Sequence, residues 1–158
     1  MRAARRAGAG AAMAAVLAAV APGGAGAAPA DARCVATVAP AEETSMTALV
    51  TSQRRATRAP GLRPDRGLLR AARAKSLAMA RGARFAHSGG LGWARGRAGA
   101  QNIAMAPGAS AAFAAMLGSP GHRSNILSRD WRLLGAAAAR GCDGMVYFTL
   151  NFLAPVPR

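Results

Sequence analysis

The sequence predicts an α+β domain with helices and strands in layers, and three observations carry that prediction. Residues 66–83 repeat their apolar side chains at helical spacing. Two apolar runs, 133–139 and 145–153, have strand length and flank Gly141-Cys142-Asp143-Gly144, a hairpin-type turn. The 158 residues suit one domain with a real core, and two domains would strain that length.

Residues 1–30 read as an export signal peptide. Arg2, Arg5 and Arg6 make a basic start, an alanine-rich apolar stretch covers 11–21, and small residues follow. Cleavage is expected after Ala30, within Ala28-Pro29-Ala30, with Ala27 as the alternative. The apolar run is short for a membrane anchor. The chain is therefore expected to be secreted, or held in the periplasm or cell envelope, with no transmembrane span after cleavage and as a monomer. In an oxidising compartment Cys34 and Cys142 are expected to form a disulfide, with two unpaired thiols as the alternative. Neither has a Cys or His at zinc-ligand spacing.

Residues 31–43, with Pro40, are expected as an extended lead-in to a domain over 44–158. Helical spacing sets in from Glu42: Met46, Leu49 and Val50 share one side, and Thr51, Gln53, Arg54 and Arg55 the other. Glu42 and Glu43 fall in the first turn, where a negative charge favours the helix dipole. This helix should stop before Pro60-Gly61, and Asp65 is the candidate N-cap of the next.

Over 66–83, Arg66, Arg70, Arg73 and Arg81, joined by Arg84, gather into a solvated stripe, and Leu68, Ala71, Ala72, Ala78 and Met79 form the opposite, apolar side. Lys75 lies within that apolar side, where its stem would snorkel or its ammonium would enter a polar cavity. Residues 88–100 read as a glycine-rich loop carrying Trp93, and 109–118 as a small-residue helix anchored by Phe113, Met116 and Leu117. Ser119-Pro120-Gly121 then reads as a tight turn, from which His122 leaves in a fixed direction, Asn125 bonds nearby backbone, and Ile126 and Leu127 bury.

The formal net charge is +15, and every basic residue except Lys75 is arginine. Loss of residues 1–30 removes three arginines and no acid, leaving +12. Anionic envelope polymers are therefore candidate partners. Specific nucleic-acid binding is disfavoured, since aromatic residues are only 4% of the chain and lack a stacking pattern.

Three segments are specific enough to carry a family resemblance. Phe85-Ala86-His87-Ser88, then Gly99-Ala100-Gln101-Asn102-Ile103-Ala104, then Ser119-Pro120-Gly121-His122-Arg123-Ser124-Asn125-Ile126-Leu127 resemble, in order and spacing, the landmarks of bacterial members of the CAP superfamily, also called SCP/TAPS. The resemblance covers roughly residues 44–153. It implies a three-layer α-β-α sandwich, secretion, and a central cavity entered by two histidines and acidic residues. His87 and His122, the only histidines of the chain, match the cavity pair. Gln101 and Asn102 fall beside them, Lys75 is the further cavity candidate, and Ser119, Pro120, Gly121, Arg123 and Asn125 are read as scaffold.

One departure governs the chemistry that the resemblance implies. The family reads Gly-Glu-Asn-Ile where this chain has Ala100-Gln101-Asn102-Ile103, so an amide replaces the cavity carboxylate, and the helix at 109–118 holds no acid. His87 and His122 are then at most a weak metal site, with zinc disfavoured because a stable site takes three or four ligands. No cofactor is otherwise expected. Acid–base chemistry loses its carboxylate partner, and Ser88 and Ser119, the nearby hydroxyls, sit in no nucleophile elbow. No residue is assigned as catalytic. The expectation is a secreted, non-catalytic domain that binds a lipid or a cell-envelope ligand. The alternatives are a hydrolase-like or metal-binding domain using the two histidines, and a cationic binder of anionic envelope polymers.

Overall fold

The structure, a computed structural model, describes residues 34–156; the expected export signal and its cleavage site lie outside them. Three eight-residue strands carry the sheet: β3 (Gly99–Ala106), β4 (Leu133–Arg140) and β5 (Val146–Leu153), with β5 central and antiparallel to both neighbours. Two short strands share the outer edge of β4. β1 (Thr37–Val38) pairs antiparallel at one end, and β2 (Arg63–Pro64) pairs parallel at the other. β3 closes the opposite side as an edge strand.

Register divides the side chains between two faces, since neighbours along a strand point oppositely. Ala104, Ala106, Ala136, Ala138, Phe148, Leu150 and Phe152 lie on one face, where they form the main core with Met46 and Val50 of α1 (Pro40–Ala56), Phe113 and Met116 of α3 (Ala109–Gly118) and Ile126 of α4 (Pro120–Leu127). On the other face α2 (Arg66–Ala80) lies over β4 and β5. The result is the three-layer α-β-α sandwich of an α+β domain, as expected.

The alanine run of β4 would suit a helix by propensity. Between two helical layers its small side chains instead let α2 come close: a Cβ built on Gly135 would lie 2.2 Å from the Leu68 carbonyl carbon and 2.4 Å from Leu69 N. At the same strand's outer edge Glu43, reaching over from α1, accepts Ala138 N–H at 3.4 Å and pairs with Arg73 of α2 at 2.6 Å. One carboxylate thus joins the two helical layers past the edge of the sheet. Cys34 and Cys142 form the expected disulfide, with Cα atoms 5.6 Å apart, tying the segment before β1 to the β4–β5 turn.

Several local expectations are revised. Helix α1 begins at Pro40, inside the expected lead-in, because proline suits the first helical position, where its missing N–H is no loss. Arg54, expected on the solvent side of α1, is 1% exposed. Its guanidinium donates to the carbonyls of Pro60, Ile126 and Ser128, so a buried cation completes the C-terminal end of α4 in place of an ion pair. Burial, then Arg132 and Arg129, holds its pKa below the ordinary arginine value. Arg73 leaves the solvated stripe for Glu43, Ala78 is exposed, and Ser76 takes an interior place by donating to Thr149 Oγ1 at 2.9 Å. Asp65 caps α2 as expected, accepting Leu68 N–H at 2.8 Å. The 88–100 loop contains a 3-10 turn at Gly92–Ala94 and ends where β3 starts.

Candidate functional site

The histidines come from two segments that never touch in sequence. His87 lies in the irregular chain after α2, and His122 in the first turn of α4. Pro120-Gly121 is not the tight turn expected from sequence. Pro120 starts α4, Ser119 stands at its N-cap position without a side-chain bond, and Gly121 has no left-handed φ and open space at its Cβ. The proline fixes a helical φ, so the pair continues into helix. His122 therefore takes its direction from the start of a helix.

Edge strand β3 brings the two segments together with two consecutive side chains. Gln101 stands opposite Asn151 on the α2 face, and Asn102 points to the α1, α3 and α4 face. On the α2 face, Gln101 Oε1 accepts Ser88 N–H at 2.9 Å, and Gln101 Nε2 donates to Ser88 Oγ at 3.2 Å and to Asn151 Oδ1 at 3.0 Å. Asn151 Nδ2 in turn donates to the Leu68 carbonyl at 3.3 Å. On the other face Asn102 Nδ2 donates to the His122 carbonyl at 2.9 Å, and Asn125 Nδ2 donates to Asn102 Oδ1 at 2.8 Å. Each amide thus fixes one histidine-bearing segment. The imidazoles meet with ring centroids 5.9 Å apart and planes at 49°.

His87 is exposed and His122 half-buried. Burial, and then electrostatic repulsion from the nearby His87, lowers the pKa of His122 below 6.5, so its imidazole is mostly neutral at pH 7. Neutral imidazole can accept a proton or coordinate a metal. The donor set falls short of a metal centre, however: among the described residues no three or more His, Cys, Asp or Glu gather to hold an ion. The Gln101 amide is engaged at both ends, its oxygen by Ser88 N–H and its nitrogen by Ser88 Oγ and Asn151 Oδ1.

Of the other expected site residues, Lys75 is half-buried on α2 and hydrogen-bonds to neither histidine. Arg123 is exposed, while Asn125 bonds the Asn102 side chain where a backbone partner was expected. Sequence reasoning missed Asn151 and the anchoring role of Ser88. Strand alternation could have placed Asn151 inward, but only the β3–β5 register sets it against Gln101.

Comparisons place the fold among known proteins. The model of the family described as CAP: Cysteine-rich secretory protein family matches residues 47–152. Among solved structures, an extracellular protein containing an SCP domain from Bacillus anthracis superposes with a TM-score of 0.63 at 23% identity, over 73% of this chain and 41% of that one. An outer surface protein of Borrelia burgdorferi gives 0.62 at 16% identity, over 72% and 92% of the two chains. A cysteine-rich secretory protein of Staphylococcus aureus gives 0.61 at 20% identity, over 73% and 39%. This chain accordingly spans about two fifths of the length of the first and third of these proteins. No curated protein sequence matches it. The family match runs from within α1 to the end of β5 and takes in both histidines and the strand that joins them, and on that ground the chain belongs to the CAP family of cysteine-rich secretory proteins.

Proposed function

We propose that this is an exported, non-catalytic CAP domain that binds an apolar, lipid-like or cell-envelope ligand. The observation that carries the reading is the occupied amide of Gln101: the position where a carboxylate would support acid–base or metal chemistry is engaged in holding the His87 segment to the sheet. Ser88 Oγ accepts from that amide, which supports its reading as an anchor over a nucleophile. Export is supported by the disulfide, a bond of oxidising compartments, and by the extracellular or surface descriptions of the similar structures.

An apolar pocket of about 150 Å³ between α1 and the start of α2, with room for a short segment of an apolar chain, supports the ligand class. Leu62, Pro64, Leu69 and Leu134 line it, with Asp65 and Arg66 supplying polar groups, and an apolar wall with few polar groups is the usual form of a small-molecule site. Titration of the purified protein with a fluorescent fatty acid and with envelope glycan fragments tests the reading. Saturable binding of either, weakened by Leu69→Arg in the fatty-acid case, is expected. Failure of every ligand to bind, or hydrolysis of an ester or glycan lost in His122→Ala, would overturn it.

A further inference from the structure

A second pocket, of about 320 Å³, opens where the start of α2, the chain around the 3-10 turn and the end of β5 converge. Neither histidine lines it, and its chemistry is the reverse of the apolar pocket: Arg70, Arg95 and Arg97 face it against a single acid, Asp65. The Asp65 carboxylate is already engaged by Leu68 N–H at the helix cap, and none of the three guanidiniums pairs with an acid among the described residues.

Two N–H groups of the pocket's lining residues are buried without a partner, as is Trp131 Nε1 away from it. Trp93 Nε1 and Arg97 Nε are buried N–H groups with no hydrogen-bond partner among the described residues, and both side chains line this pocket. Such orphaned donors cost about 1–3 kcal/mol each. The Trp93 ring lies with Cη2 and Cζ3 3.1 Å from a Cβ built on Gly99, so its benzo edge rests on β3 and its pyrrole N–H lies on the other side of the indole. Arg97 is held in place by donating through Nη2 to the Ala154 carbonyl, which leaves Nη1 and the second Nη2 hydrogen of its guanidinium free to donate. Gly67, in the first turn of α2, lines the same pocket, and its N–H is among those a helix leaves without an internal partner.

We propose that this pocket is an oxyanion site for the phosphate class, a free phosphate or a phosphate carried by a larger molecule, held by the guanidiniums of Arg70, Arg95 and Arg97 beside the Trp93 ring, and independent of the histidine pair. A carboxylate offers one charge and two oxygens. A phosphate offers three or more oxygens to guanidiniums arriving from two segments, α2 and the chain around the 3-10 turn, and guanidinium forks match its geometry.

Calorimetric titration of the purified protein with inorganic phosphate tests this, with the indole N–H resonances followed by NMR. A single saturable site is expected, with the signal of Trp93, whose ring lines the pocket, shifted and that of Trp131 unmoved. R70Q/R95Q, at two exposed positions, should weaken binding by about tenfold or more, since charge-assisted hydrogen bonds are lost. The charge-matched control R81Q/R84Q, which alters exposed arginines outside the pocket, should weaken it by less than about twofold in moderate salt. Equal loss in the two double variants, no saturable binding, or acetate binding as tightly as phosphate would overturn the proposal. Glycerol 3-phosphate and vesicles with or without phosphatidylglycerol separate the sources: binding to either that requires Arg70 and Arg95 supports the site and identifies which form of phosphate it takes.

Discussion

Gln101 shows how one atom changes a site's role. Its Nε2 donates to Asn151 Oδ1, and the Asn151 amide is oriented by its own bond to the Leu68 carbonyl. In Gln101→Glu a carboxylate oxygen would face Asn151 Oδ1, and relieving that contact by turning Asn151 would abandon Leu68. The variant is expected to lose about 1–3 kcal/mol, the cost of a buried polar group left unsatisfied, in urea unfolding; unchanged stability would show that the amide is not required. Gly135 makes a different demand, for space. Gly135→Ala would drive a methyl group into the backbone of α2, 2.2 Å from the Leu68 carbonyl carbon, where no side chain can yield. A loss of about 3 kcal/mol, at the upper end of overpacking costs, is expected in the same assay, and a loss below about 1 kcal/mol would mean that α2 can slide.

At the scale of elements, β3 does more than complete the sheet. Because consecutive side chains of a strand point to opposite faces, Gln101 and Asn102 hold one segment above the sheet and one below it, and the imidazoles meet as a consequence. Asn102→Ala removes the bond to the His122 carbonyl and leaves Asn125 without its acceptor. The pKa of His122, read from its imidazole proton shifts, should then rise toward 6.5 as the α4 start loosens and both burial and the nearness of His87 weaken. A pKa that stays where it is in wild type would show that α4 keeps its place without Asn102. The rest of α4 is held from its other end by Arg54, through the Ile126 and Ser128 carbonyls.

For the whole molecule, the disulfide and His122 shape the response to redox and pH. Cys34 and Cys142 close a loop with a sequence separation of 108 residues. Reduction, or Cys34→Ser with Cys142→Ser, is expected to cost about 4–5 kcal/mol in the chain-entropy account, read as a lowered denaturation midpoint. A midpoint unmoved by reductant would contradict this. The pH response follows from His122, whose folded pKa lies below its unfolded value of 6.5. As pH falls through 6.5 the unfolded chain takes up this proton before the folded chain does. This contribution is therefore complete above 6.5, shrinks as pH drops toward the folded pKa, and is constant below it. Denaturation midpoints measured between neutral and mildly acidic pH should fall in wild type and fall less in His122→Gln; a wild-type midpoint that rises with acid would reverse the sign.

The sequence by itself determined the layered α+β class, the α2 cap at Asp65, the extents of α3, β4 and β5 within about two residues, the cysteine pair and the two histidine landmarks. These depend on local chemistry: periodicity, turn residues, a capping carboxylate and short motifs. Tertiary structure alone decided that Arg54 turns inward to three carbonyls, that Glu43 and Arg73 join two layers, that Gly135 is a contact surface, and that Gln101 meets Asn151. Apart from the Arg54 bond to Pro60, each of these pairs residues far apart in the chain, and its energy comes from burial and from hydrogen bonds that exist only once the layers are packed. Local pattern contains no register, so it could name both histidines but not the strand that brings them together.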